Sequence, residues 1–114
     1  MKLPEESVLL RVFVGEADTH RGVAVYERIV LRARELGLAG ATVTRGIMGF
    51  GAASRIHTAR FLRLSEDMPV VVEIVDTEAN VQKLLPYLDE VIEGGGLVTL
   101  ERAQVIKYQP RRDP

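Results

Sequence analysis

The sequence contains neither cysteine nor tryptophan, and aromatic residues make up only 5% of it. Without thiols there are no disulfides and no thiolate metal site, while the compartment is left open by that fact alone. No apolar run approaches the roughly 20 residues that span a bilayer as a helix. The first ten residues, MKLPEESVLL, place Pro4, Glu5 and Glu6 where an export signal needs an apolar stretch. No signal peptide is therefore expected, and a cytoplasmic protein is the default. Charge of one sign is also missing: 15 basic against 16 acidic side chains leave a net charge of −1. That balance gives nucleic acid and anionic membranes little to bind. His20 and His57 have no His-x-His or equivalent spacing, so no metal site is expected. Glu16, Asp18 and His20 read more simply as turn and helix-entry residues than as ligands, with Asp18 or Thr19 available as an N-cap.

What is present fits one soluble domain. The chain has 114 residues, 46% hydrophobic and 27% charged, a size and balance typical of a single domain spanning 1–114. The core is expected over about residues 7–108, with a loose tail from 109 to 114. A domain this small gains much from self-association.

Hydrophobic periodicity divides the chain into six elements. Ser7 to Gly15 alternates Val8, Leu10, Val12 and Val14 with Leu9, Arg11 and Phe13, a strand nearly apolar on both sides. Val23 to Gly37 repeats apolar residues at three and four, with Gly37 as the expected helix-ending glycine. Gly40 to Thr44 begins a second strand, and Arg60 to Leu64 is a candidate returning arm. Met68 to Val75, MPVVVEIV, is the strongest strand signal. Asp76 to Glu93 predicts a second helix capped by Asp76 or Thr77, and Pro86 inside it predicts a kink or a split. Gly94, Gly95 and Gly96 stop that helix. Three glycines predict either a flexible link or a backbone that approaches a ligand or neighbour. Leu97 to Tyr108 is the last strand. Its apolar parity changes across Glu101–Arg102, which predicts a β-bulge there.

The stretch Arg45 to Arg60, RGIMGFGAASRIHTAR, carries the chemistry. Gly46, Gly49 and Gly51 surround Phe50, followed by Ser54, Arg55, His57, Thr58 and Arg60, and no carboxylate occurs from Thr42 to Ser65. Exposed N–H groups beside arginines suit an anion, most often phosphate. The plainer reading is a basic loop between two strands. Catalysis finds little support, because His57 is the loop's only group titrating near neutrality and no carboxylate lies close in sequence.

The order strand, helix, strand, strand, helix, strand is the split β-α-β, or ferredoxin-like, pattern. The fold class expected is α+β, a four-stranded antiparallel sheet with two helices on one face. The other face then needs cover, and self-association supplies it most economically.

Gly40-Ala41-Thr42-Val43-Thr44 leading to Gly49-Phe50-Gly51, with the glycine turn before the last strand, resembles a PII-type protein. More closely, GLAGATVTRGIMGFGAASRIHTA with LSEDMPVVVEIVD resembles a PII-like bacterial and archaeal family of unknown function, from Leu10 to Tyr108. The resemblance implies a homotrimer that binds adenine nucleotides in clefts between subunits. It also implies a loop that relays the bound state to a target, often a membrane transporter or an enzyme. Thr42 and Thr44 match the strand near the base, and Gly49, Phe50 and Gly51 match the root of the signalling loop. Gly94, Gly95 and Gly96 match the turn around the phosphates, and Lys107 falls where the last strand supplies an arginine.

Departures narrow the expectation. Ala52 and Ala53 stand where PII proteins have Arg-Gln, and Leu97 stands where they have a phosphate-binding lysine. The loop is shorter and has no tyrosine, with Ser54 the nearest hydroxyl. Fewer phosphate contacts favour AMP or ADP over ATP, with Arg45, Arg55 and His57 as candidates to compensate. The expected function is thus a trimeric, non-enzymatic regulator that binds nucleotide through Thr42, Thr44, Gly49, Phe50, Gly51, Arg55, Gly94, Gly95, Gly96 and Lys107. It would meet its partner through Arg45, Ser54, His57 and Arg60. The alternative is an oligomeric interaction module without a small ligand.

Overall fold

The computed structural model describes residues 3–50 and 68–111. Strand β1 (Glu6–Gly15) buries Val8, Leu10, Val12 and Val14 on one side, as its period of two dictates. At its end the Asp18 carboxylate accepts a hydrogen bond from the Gly15 N–H at 2.8 Å and closes the turn.

The first helix begins later than its periodicity predicts. Arg21 and Gly22 both have positive φ, 52° and 81°, the geometry of a tight two-residue hairpin turn. The chain therefore makes two short paired strands, β2 (Thr19–His20) and β3 (Val23–Ala24), before α1 (Val25–Glu35). Neither Asp18 nor Thr19 caps α1 through its side chain; Ala24 is the N-cap, and the Val25 N–H reaches the Asp18 carbonyl at 2.9 Å. The far end matches the expectation. Gly37 has φ 77°, its N–H donates to the Arg34 carbonyl, and the Leu38 N–H donates to the Ala33 carbonyl, both at 3.0 Å. Those two bonds, with Leu38 and Ala33 both buried, form a Schellman cap.

Strand β4 (Thr42–Arg45) starts two residues beyond Gly40 and pairs antiparallel with β5 (Pro69–Asp76). The candidate returning arm at Arg60–Leu64 lies outside the described residues. Helix α2 (Glu78–Val91) is capped by Thr77, whose hydroxyl accepts from the Asn80 N–H at 3.1 Å. Asp76 is fully buried at the end of β5. One of its carboxylate oxygens accepts from the Ala39 N–H at 2.7 Å; the other accepts from the Thr77 N–H at 2.6 Å and the Asn80 amide at 3.0 Å. This single side chain ties the exit of α1 to the entry of α2. The helix is not split at Pro86. Proline deprives the Gln82 carbonyl of its partner, but both residues are exposed, so water can satisfy that group.

The last strand, β6 (Leu97–Gln104), ends four residues before Tyr108 and carries no bulge. Its register with β1 is continuous from Leu97 opposite Phe13 to Gln104 opposite Glu6. The parity change across Glu101–Arg102 is real, but the strand lies at a sheet edge with most of its side chains exposed. Burial does not force its apolar residues onto one face there.

The sheet order is β4-β5-β1-β6, all antiparallel. Both helices cover one side, and Leu10, Val12, Ile29, Val72, Ile74, Val81, Leu84 and Leu88 form the fully buried centre. The resulting α+β arrangement is the four-stranded, two-helix architecture expected from the element order. Among the described residues no helix covers the opposite side of the sheet.

Candidate functional site

The two glycine-rich segments lie at one end of the sheet. β4 leaves the sheet at Arg45, and the Gly46 N–H donates to the Pro69 carbonyl at 2.7 Å. A Cβ added at Gly46 would stand 2.7 Å from the Pro69 ring, and one at Gly49 would stand 3.1 Å from it. These two glycines thus let the loop root pack against the start of β5, a structural reason for them beside any ligand. Arg45 pairs with Glu16, Nε to Oε1 at 3.0 Å, and the Glu16 N–H donates to the Met68 carbonyl at 2.8 Å. The root is therefore fastened to the turn after β1. Beyond it Ile47, Met48 and Phe50 are 86%, 69% and 75% exposed. Gly51, Ser54, Arg55, His57 and Arg60 lie outside the described residues.

At the glycine turn after α2 each residue has its own reason. Gly95 takes φ 128°, and its N–H donates to the Ile92 carbonyl at 2.8 Å. A Cβ on Gly96 would stand 3.2 Å from the Phe13 carbonyl and 3.3 Å from Val14, so this glycine permits the turn to close on β1. Gly94 has nothing within 4 Å of its Cβ position, and packing does not explain it.

Thr44, Val71, Phe13 and Leu97 form one row across the sheet. The loop root and the glycine turn therefore lie at the same end but on opposite edges, about 14 Å apart at three strand spacings. A single chain does not bring these two expected walls together.

It does bring together Thr42 and Lys107. Past β6 the Val105 N–H donates to the Glu5 carbonyl at 2.7 Å, and the Tyr108 hydroxyl donates to the Ala39 carbonyl at 3.3 Å. The C-terminal segment thereby reaches from the β6 edge to the turn before β4. Under it lies an open groove of about 760 Å³, floored by Leu9 and Val75 and lined by Ala41, Thr42, Lys107 and Tyr108. The lining adds two hydroxyls (Thr42 and Tyr108), the Lys107 ammonium and the Glu73 carboxylate, itself paired with Arg11, to that apolar floor, a mixture that suits a flat heterocycle with a polar arm reaching Lys107. The strand on which Lys107 was expected has already ended, so its placement follows from the Tyr108 tether instead.

The helix-free side of the sheet also carries a charge ladder. Arg11 sits between Glu73 and Glu101, donating from Nε to Glu73 at 2.8 Å and from Nη1 to Glu101. The hydrogen bond to Glu73, reinforced by the Glu101 charge, holds the Arg11 guanidinium above its ordinary pKa. Among the described residues no group of three His, Cys, Asp or Glu side chains could hold a metal ion. No helix there is long and apolar enough to cross a membrane.

This architecture is that of a PII-like fold. CPII, a nitrogen regulatory PII-like protein from Thiomonas intermedia K12, solved with ADP, AMP and bicarbonate, superposes with a TM-score of 0.60 at 19% identity, covering 91% of this chain and 97% of that one. The GlnK–ATP complex of B. subtilis superposes at 0.56 with 13% identity over 89% and 84%. The chain belongs to the DUF190 family, described as uncharacterized ACR, COG1993, which matches residues 7–105. A UPF0166 protein of Aquifex aeolicus (strain VF5) is 41% identical over 100 residues, 86% of this chain and 91% of that protein.

Sequence reasoning missed Tyr108, the apolar floor of the groove, the Arg11 ladder and the Glu16 partner of Arg45. Arg11 and Glu73 did carry a signal, as the charged residues on the second side of otherwise apolar strands.

Proposed function

We propose that this protein is a trimeric, cytoplasmic, non-enzymatic regulator that binds an adenine nucleotide, AMP or ADP in preference to ATP. Its bound state is relayed through the 45–60 loop to a target such as a membrane transporter, channel or enzyme. The observation that carries this reading is the groove in which Thr42, Lys107 and Tyr108 converge over an apolar floor. The floor and Tyr108 would take the base, and Lys107 would meet phosphate. Gly94, Gly95 and Gly96 of a neighbouring copy would supply the wall that lies on the wrong edge of the same chain. The loop residues Gly49, Phe50, Gly51 and Arg55 would close the site, with Thr44 beside them. Support comes from PII-like neighbours of the same fold that hold ADP, AMP or ATP.

Calorimetry with AMP, ADP, ATP and cyclic nucleotides tests it. At least one ligand should bind in the micromolar range, and silence across the panel would sink the reading. Lys107→Ala should weaken that ligand about tenfold, as loss of a charge-assisted contact does.

A second reading keeps the oligomer and removes the ligand. The three exposed apolar side chains at Ile47, Met48 and Phe50 favour it, since such a patch marks a docking surface. The 45–60 loop, with Arg45, Ser54, His57 and Arg60, would then bind a protein directly. Capture of a partner that depends on the loop but ignores nucleotide would support this reading over the first.

A further inference from the structure

Past the last β1–β5 pair, Gly15 opposite Pro69, the chain turns through Glu16 and Asp18. That turn is fixed from within. The Asp18 N–H donates to the Gly15 carbonyl at 3.1 Å, and the Asp18 carboxylate accepts from the Gly15 N–H at 2.8 Å. The Val25 N–H donates to the Asp18 carbonyl at 2.9 Å and joins the turn to the start of α1. Glu16 thus stands on a platform that its own side chain does not build.

From there Glu16 grips both stems of the segment that joins β4 to β5. Its N–H donates to the Met68 carbonyl at 2.8 Å, on the stem that leads into β5. Its carboxylate takes Arg45 Nε at 3.0 Å, on the stem that leaves β4. β5 runs between the two, because Gly15 pairs with Pro69 and Arg45 with Val70. The ion pair therefore reaches over the start of β5. Pro69 has no N–H to give to the ladder there, although its carbonyl accepts from the Gly46 N–H at 2.7 Å. The Arg32–Glu35 pair, by contrast, lies within one helix, whereas Glu16 and Arg45 stand 29 residues apart and join two elements.

We propose that Glu16 is the positioning residue of the 45–60 loop, a clip that fixes how the chain leaves β4 and opens without unfolding the sheet. Its two holds differ in kind. The bond to Met68 comes from the backbone and does not depend on the side chain. The ion pair is 52% exposed at Arg45 and 37% at Glu16, and a pair so placed is weak and screened by salt. The β4 stem is therefore the one that lets go: a competing anion or raised ionic strength loosens it while the β5 stem stays tied. The inference rests on the relay in the proposed function and adds the switchable contact at its root.

The test is amide hydrogen exchange on the full chain at low and high salt. It is followed at Gly46 and at Val72, which pairs with Val12 and Val43 in the middle of the sheet. At low salt Glu16→Gln should exchange Gly46 about two- to fivefold faster than wild type, the range an exposed ion pair supports, with Val72 unchanged. About 0.5 M salt should bring wild type to the variant's rate as screening takes over. Glu16→Arg combined with Arg45→Glu should restore slow exchange at Gly46. Equal Gly46 rates in wild type and Glu16→Gln overturn the inference. So does a variant that speeds Val72 as much as Gly46, since Glu16 would then support the whole sheet and not the stem. A swapped pair as fast as Glu16→Gln overturns it as well, because charge would not be what holds the stem. Nucleotide silence in calorimetry would instead refute the regulator reading, and the exchange rates decide the clip without any ligand.

Discussion

On the helix side of β1 and β5, Leu10, Val12, Val72 and Ile74 are at most 1% exposed. On the other side of the same strands Phe13 is 37% exposed, and Arg11 stands between two glutamates. Alternate residues of one strand thus serve two surroundings. The helix side is completed within the chain and specifies the fold. The open side is apolar enough to need cover and charged enough to restrict what covers it. It is also where Thr42, Glu73 and the groove lie, so the proposed assembly and the proposed ligand site would share one surface.

That contrast can be broken from either side. Leu84→Ala, in the fully buried centre, should have the largest effect, about 2–5 kcal/mol from lost burial and a cavity, read as a shift in the urea midpoint. Asp76→Ala should cost roughly 2–3 kcal/mol, because the part-buried Ala39 N–H and the Asn80 amide lose their acceptor. On the open side Phe13→Ser should remove only about 0.2–1 kcal/mol of cross-strand contact. It should, however, abolish the dependence of Tm on protein concentration. A large concentration-independent loss would mean that the open side also builds the monomer. Gly94→Ala should be the mildest, within about 0.5 kcal/mol, since its Cβ meets nothing. If it nevertheless weakens nucleotide binding, the turn touches ligand. Unchanged affinity would remove Gly94 from the site.

The fold was legible because burial on one side enforces period two in β1 and β5 and the helical repeat in α1 and α2. Legibility failed where burial is weak. The edge strand β6 tolerates mixed parity, so a bulge was expected at Glu101–Arg102 and none exists. The start of α1 was misread because Arg21 adopts positive φ beside Gly22, a conformation that arginine does not announce. The site was less legible still. Gly46, Gly49 and Gly96 each have a packing neighbour that accounts for them, which sequence alone does not separate from a ligand contact. Tyr108 enters the groove through one long-range bond to Ala39, beyond the reach of local pattern.

The sheet order has a consequence for synthesis. β1 is made first, but it is flanked by β5 and β6, which come from the second half of the chain. As the polypeptide leaves the ribosome, Leu10 and Val12 have no strand to pair with until residues beyond Pro69 have emerged. The slow step is then the capture of an early strand by late ones, the kind of non-local pairing that lowers folding rates. During that interval an apolar strand waits in solution, so chaperone capture of the nascent chain should be greatest before β5 emerges.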